Sequence, residues 1–191
     1  MMKAQTSVEI HEVLANRRSP RSLDSTAVLS QQDLIAILEA ARWAPSANNG
    51  QPWRFFVGTR GDEVFGQILD SLASFNQGWA HRSAALILVA GVHSREDGTP
   101  NKNYMYDCGL AVAQMVVETH HRGFVAHQMT GFDALKATEN LGIDPSLAPV
   151  AVISIGKQAP AEQLQGAMLE RENAPRERKA LSEIVVKGLP N

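Results

Sequence analysis

Ala44-Pro45-Ser46-Ala47-Asn48-Asn49-Gly50-Gln51-Pro52-Trp53 separates two apolar patterns of different period, and the alternation that begins there sets the fold class. Before it, Ser30-Gln31-Gln32-Asp33 has capping-box spacing and opens a helix with Leu34, Ile37, Leu38 and Ala41 on one face. That helix should stop at Ala44, because Pro45 disfavours helical geometry in the residue before it. After it, Trp53 to Val57 reads as a strand. Pro45, Gly50 and Pro52 are turn formers, so the segment between is a loop.

The same alternation continues outward. Upstream, Ser7 can cap a first helix through Val8, Val13 and Leu14 that ends near Asn16. Downstream, Glu63 to Phe75 carries Val64, Ile68, Leu69 and Leu72 at helical spacing, and Ala84 to Gly91 is a continuous apolar run suited to a strand covered on both faces. Tyr104 to Arg122 reads as the longest helix. It is small and apolar nearly all round, which suits deep burial and a place in a subunit interface.

A short strand at Phe124 to Ala126, a helix from Asp133 to Leu141 ended by Gly142, and a strand from Val150 to Ile155 complete the core. The tail from Ala159 to Asn191 is polar and helical but holds Leu181, Ile184, Val185 and Val186, an apolar group that needs a docking surface. An arm embracing a partner subunit would supply one. The pattern alone favours an α+β or α/β sandwich and leaves the strand order open.

A chain of 191 residues, 44% hydrophobic and 20% charged, fits one domain with a sizeable core. Net charge is -2 and the isoelectric point is near 6.3, so no global field draws the molecule to nucleic acid or an anionic membrane. The most apolar segment, Ala84 to Val92, is too short to span a bilayer. Arg17-Arg18 is followed by no sustained apolar stretch, so it does not read as a twin-arginine export signal. The single cysteine, Cys108, excludes an internal disulfide framework and a zinc site built on several thiolates, and a reducing cytoplasm is the natural setting. His81, His120, His121 and His127 form no metal spacing, and structural roles are expected for them. Neither a Gly-x-Gly-x-x-Gly after a strand nor a Walker A sequence is present, which argues against a Rossmann dinucleotide site and a P-loop.

Two arginine clusters lie at opposite ends of the chain: Arg17-Arg18-Ser19-Pro20-Arg21 and Arg176-Glu177-Arg178. Guanidinium groups present planar forks of donors that match phosphate oxygens, so their convergence would build a cradle for a phosphorylated cofactor.

With these clusters, the 44–53 turn and Gln128-Met129-Thr130-Gly131-Phe132-Asp133 in register, the chain resembles the nitroreductase family of FMN-dependent NAD(P)H oxidoreductases over essentially its whole length. The resemblance implies an α+β three-layer sandwich, a mostly antiparallel central sheet flanked by helices, and a single FMN-binding domain over 1–191. Its 159–191 extension would pack on the partner subunit as an exchanged arm.

The family pattern also assigns roles by position. Arg17, Arg18, Ser19 and Arg21 would hold the flavin's phosphate and nearby atoms, with Arg176 and Arg178 closing on it from the other side. Pro45, Ser46 and Asn49 resemble positions that reach the flavin bound mainly by the other subunit, making the active form a homodimer with FMN at the interface. Asn76 would bond the flavin's pyrimidine edge. Gln128, Met129, Thr130 and Gly131 would lie along the N5 edge through their backbone, with Thr130 where many relatives carry Glu.

The implied reaction is ping-pong hydride transfer through flavin N5, from NADH or NADPH to a small acceptor such as a nitroaromatic, a quinone or an activated carbonyl or enal compound. The flavin carries the chemistry, so no catalytic side chain and no metal are assigned. Only a brief polar connection, Val92 to Asn103, stands where larger relatives place a lid, which leaves Phe75, Trp79, Tyr104 and Tyr106 as candidate aromatic walls of an open substrate pocket. A flavin storage or sensor module, or a flavin-dependent dehydrogenase of a small organic or peptide-like substrate, is the alternative function on the same scaffold.

Overall fold

Side chains alternate between the two faces of a strand, so a strand that is apolar at every position must be covered twice. Ala85–Val92 (β2) is such a strand: every residue from Ala85 to Gly91 is buried. The computed structural model, which describes residues 3–95 and 97–188, places it second in a four-stranded sheet. Trp53–Thr59 (β1) pairs with β2, β2 with Leu147–Gly156 (β4), and β4 with Val125–Met129 (β3), every pairing antiparallel.

The alternation sorts the core into two clusters. Ala85, Ile87 and Val89, with Ile153 and Ile155 of β4, face one side, where Gln31–Arg42 (α2) contributes Ile37 and Ala41 and Tyr104–His121 (α5) contributes Cys108, Ala111 and Met115. Leu86, Leu88 and Ala90, with Val152, face the other. There Glu63–Ser71 (α3) supplies Phe65 and Ile68, Ser74–Ala80 (α4) supplies Trp79, and Ala134–Leu141 (α6) supplies Ala137. The fold is therefore an α+β three-layer sandwich with an antiparallel central sheet.

Local chemistry sets the helix boundaries. Ser30 Oγ accepts the Asp33 N–H at 3.0 Å and donates to the Asp33 carboxylate at 2.6 Å, capping α2. Asp62 caps α3 through the Phe65 N–H, and Gly142, at φ 59°, ends α6 in the left-handed conformation that glycine takes without a Cβ penalty. β4 carries an irregularity against β2, where Val89 pairs with Ala151 but Ala90 with Pro149, so Val150 is the extra residue beside a proline that cannot donate.

Three expectations are corrected. The first helix is the short Glu12–Asn16 (α1), capped by the His11 ring in place of Ser7. The single helix expected over Glu63 to Phe75 breaks after Ser71, because Leu72 bridges Phe132 and Ala73 N–H donates to the Gly131 carbonyl. The strand expected at Phe124 to Ala126 runs on to Met129.

The tail divides. Leu164 is buried, and Met168 and Leu169 of Gly166–Asn173 (α7) pack on this chain's own second core cluster. Only the later part, with Leu181 and Ile184 of Leu181–Ile184 (α8) and Val186, is left exposed. Residues 1, 2, 96 and 189–191 of the expected domain lie outside the described residues.

Gly58 fixes the approach of α3 to the sheet. A Cβ there would lie 2.2 Å from the Phe65 nitrogen and 2.4 Å from its Cα, backbone atoms that cannot swing away. Gly58→Ala is expected to destabilise the fold by about 3 kcal/mol, read as a lowered urea midpoint, through overpacking.

Candidate functional site

The two arginine clusters meet. Arg176 Nη1 donates to the Ala15 carbonyl at the end of α1, 2.8 Å away. Arg17 is half-buried, and its guanidinium is pushed below the ordinary arginine range first by burial and then by the charge of Arg178. Arg176 is shifted the same way by burial, Arg17, Arg178 and Arg18 in turn. Like charges from opposite ends of the sequence thus feel each other in the fold.

The segment between Arg17 and Arg21 is tied to the sheet edge at β3. Arg17 Nη1 donates to Ser19 Oγ at 3.4 Å, and Ser19 Oγ donates to Gln128 Oε1 at 3.4 Å. His127, also on β3, lies with Nδ1 3.1 Å from the Pro20 carbonyl, which can only accept, so the proton sits on Nδ1. Burial, then the nearby Arg21 charge, push its pKa down to about 4. His120 on α5 approaches the Arg18 carbonyl at 3.2 Å through Nε2.

Arg17, Arg18, His120 and Lys157 line a cleft of about 510 Å³ between α1, β3 and the C-terminal end of α5. Arg21 projects away from it, over the Phe75 ring at 5.9 Å, and Arg171 of α7 covers the same ring at 4.8 Å.

The break between α3 and α4 completes this end of the molecule. Asn76 Nδ2 donates to the Gly131 carbonyl at 3.0 Å, and a Cβ on Gly131 would come within 2.9 Å of that nitrogen. Asn76 therefore lies against the 128–131 segment. Thr130 and Gly131 are exposed there, whereas Met129 is buried in the core.

The 44–53 turn lies elsewhere. Asp107, in the first turn of α5 and 3% exposed, accepts the Ala47 N–H at 3.3 Å. Within this turn Asn48, Asn49 and Gln51 all have positive φ, at 52°, 55° and 43°. Asn tolerates that region and Gln does so at a cost, so three in four residues mark a turn held by its surroundings. Ser46 Oγ helps by accepting the Gln51 N–H at 3.0 Å. Asp107 and His120 are thirteen residues apart on α5, roughly 20 Å at the ~1.5 Å rise per residue. Pro45, Ser46 and Asn49 are thus held far from the 17–21 arginine cluster of their own chain.

The expected aromatic walls do not assemble. Trp79 is fully buried, its ring 4.7 Å from that of His127, and is a core residue instead of a pocket wall. Tyr104 packs over Gly91 at the end of β2 and near His93, Tyr106 is exposed on α5, and Phe75 lies between its two arginines. Burial and then the Asp107 charge raise the Cys108 thiol to about 11, so it stays protonated and unreactive. Among the described residues no His, Cys, Asp and Glu cluster could hold a metal, and no helix is long and apolar enough to cross a membrane.

Sequence reasoning missed Asp107, Arg171 and Glu172. Asp107 carried a signal, being a carboxylate in an otherwise apolar helix. Glu172 and Arg171 carried none, since a mixed-charge helix in a polar tail reads as solvated.

Fold and side chains together define an antiparallel α+β sandwich with arginines from both chain ends gathered at one sheet edge. Comparisons with known proteins extend this. A model of the nitroreductase family matches residues 14–76. The uncharacterized 15.4 kDa protein in the ask 5′ region of Mycolicibacterium smegmatis is 34% identical over 143 residues, covering 71% of this chain and 95% of that one. An oxygen-insensitive NADPH nitroreductase of Helicobacter acinonychis is 28% identical, covering 82% and 91%. A crystal structure described as the oxidoreductase containing FMN superposes with a TM-score of 0.90 at 29% identity, covering 97% of this chain and 94% of the other. The chain belongs to the nitroreductase family.

The His127 shift makes a testable statement about stability. Its folded value lies below the ordinary 6.5, so as pH falls the unfolded chain takes up this proton first. The contribution is complete above about pH 6.5 and is lost as pH falls toward 4. At ~1.36 kcal/mol per pH unit it amounts to up to roughly 3 kcal/mol. Urea unfolding of wild type and His127→Asn should show the wild type losing about that much more between pH 7 and pH 4.

Proposed function

We propose that this chain is an FMN-dependent oxidoreductase that takes electrons from NADH or NADPH and passes them to small organic acceptors. Nitroaromatics, quinones and activated carbonyl or enal compounds are the acceptor class. The observation that carries this reading is the approach of Arg17 and Arg18 to Arg176 and Arg178 from opposite ends of the chain.

The residues present fit the cofactor. A phosphate needs a dense set of charge-assisted donors, and the guanidiniums with Ser19 Oγ form one. The Nε of Arg21 is buried without a hydrogen-bond partner, a donor that a ligand oxygen would satisfy. Asn76 and the backbone of Gln128 to Gly131 offer amide donors and acceptors of the kind a flavin's polar ring edge requires.

The flavin, when bound, supplies the two-electron chemistry at its ring. In this reading Arg17, Arg18, Ser19, Arg176 and Arg178 anchor its phosphate, Arg21 reaches nearby ligand atoms from beside Phe75, and Asn76 orients the ring edge. The half-buried, neutral His127 holds the 19–21 segment in place and moves no proton. Thr130 brings no charge to the ring edge, so an anionic acceptor meets no carboxylate from that position.

The active unit is a homodimer. Roughly 20 Å along α5 separates the 45–49 turn from the arginines, so a site using both draws one from each subunit. Exposed Trp43, Met105 and Tyr106 beside that turn, and Leu181, Ile184 and Val186 in the tail, are apolar surface that a second copy would cover. The whole chain acts as one FMN-binding domain, the later part of the 159–191 extension forms the intersubunit arm, and a cytoplasmic setting suits its lone reduced thiol.

Anaerobic mixing of the FMN-loaded protein with NADH or NADPH should bleach the flavin's visible absorption within seconds, and a quinone should restore it. A colour that persists for minutes with both nicotinamides would contradict the reading. Loss of a charge-assisted hydrogen bond is worth roughly 1.5–3 kcal/mol, so Arg17→Ala should weaken FMN binding at least about tenfold by fluorescence titration.

A further inference from the structure

Glu172, near the end of α7, is only 3% exposed although it is charged, and it is surrounded by cations. Its main-chain carbonyl accepts Arg18 Nη2 at 2.6 Å, and its carboxylate Oε2 accepts the Arg21 backbone N–H at 2.8 Å. One residue of the C-terminal segment thereby grips two arginines of the N-terminal segment. Its charge also favours the Arg21 guanidinium, which burial and Arg171 disfavour.

Core packing does not call for a carboxylate here, because Met168 and Leu169 already attach α7 to the second core cluster. Burying one is costly unless its oxygens are satisfied, yet Glu172 Oε1 has no hydrogen-bond partner, and neither has Arg21 Nε. The unpaired Arg21 Nε is a donor left over for a ligand oxygen, and the buried carboxylate holds the backbone of the segment that carries it.

We propose that Glu172 is the positioning residue of the arginine cluster: by clamping the 18–21 segment to α7 it sets the affinity for the phosphate-bearing end of the cofactor and leaves affinity for the ring unchanged. The proposal rests on the FMN reading given above.

Riboflavin lacks the phosphate, so the two flavins separate a positioning role from a structural one. Dissociation constants for FMN and riboflavin are measured by fluorescence titration of the full-length protein in wild type, Glu172→Ala, Glu172→Asp and Glu172→Gln, with melting temperature as the check on folding. Glu172→Ala should weaken FMN at least about tenfold and riboflavin less than about threefold, the loss expected for hydrogen bonds to charged groups. Glu172→Asp keeps the charge but shortens its reach, and should weaken FMN at least about fivefold with the same selectivity; it carries the test if the alanine variant fails to fold. Glu172→Gln keeps an acceptor for the Arg21 N–H and should stay within about threefold of wild type. The proposal is overturned if the Ala and Asp variants bind FMN within threefold of wild type, or if both flavins weaken in equal proportion. A wild type that binds neither flavin would overturn the FMN reading itself.

Discussion

Gathering guanidiniums from the two ends of one chain is electrostatically unfavourable, and the molecule depends on how that repulsion is managed. Backbone carbonyls do much of it. Arg18 is held on the Glu172 carbonyl and Arg176 on the Ala15 carbonyl, so each charge is fixed by a dipole from the opposite end of the sequence. Surface screening is incomplete because Arg17 is half-buried, and the residual strain favours any ligand that brings negative charge to the cluster. The sheet edge then fixes where the cluster stands, through Ser19 on Gln128 and Pro20 on His127.

The longest helix gives the arrangement its second constraint. α5 is buried against the sheet through Cys108, Ala111 and Met115, and it meets the strained 45–51 turn at one end and the arginine segment at the other. A rigid rod of this length cannot bring its two ends to one small ligand. Two copies side by side could, and this spacing is what supports the homodimer proposed above.

Much of this was legible in the sequence, for identifiable reasons. The apolar run of β2, the Ser30 cap, the Gly142 stop and the paired arginines are local signals that tertiary structure had no cause to overrule. The misreadings share a different cause. Leu72 continued the helical spacing of α3, but pairing with Phe132 took the backbone out of the helix there, and no local residue announces that partner. Trp79 looked like a pocket wall because an aromatic near a ligand loop and an aromatic in the core have the same letter. The role of Glu172 was illegible, since its meaning lies in two residues more than 150 positions away.

The central claim is that arginines from both chain ends grip one phosphate beside a sheet edge, completed by the 45–49 turn of a second subunit. A crystal structure of the protein grown with FMN tests it most directly. The account predicts the flavin phosphate within hydrogen-bonding distance of Arg17 and Arg176, with the partner's turn against the ring. A phosphate bound away from these guanidiniums, or a flavin enclosed by a single subunit, would contradict it.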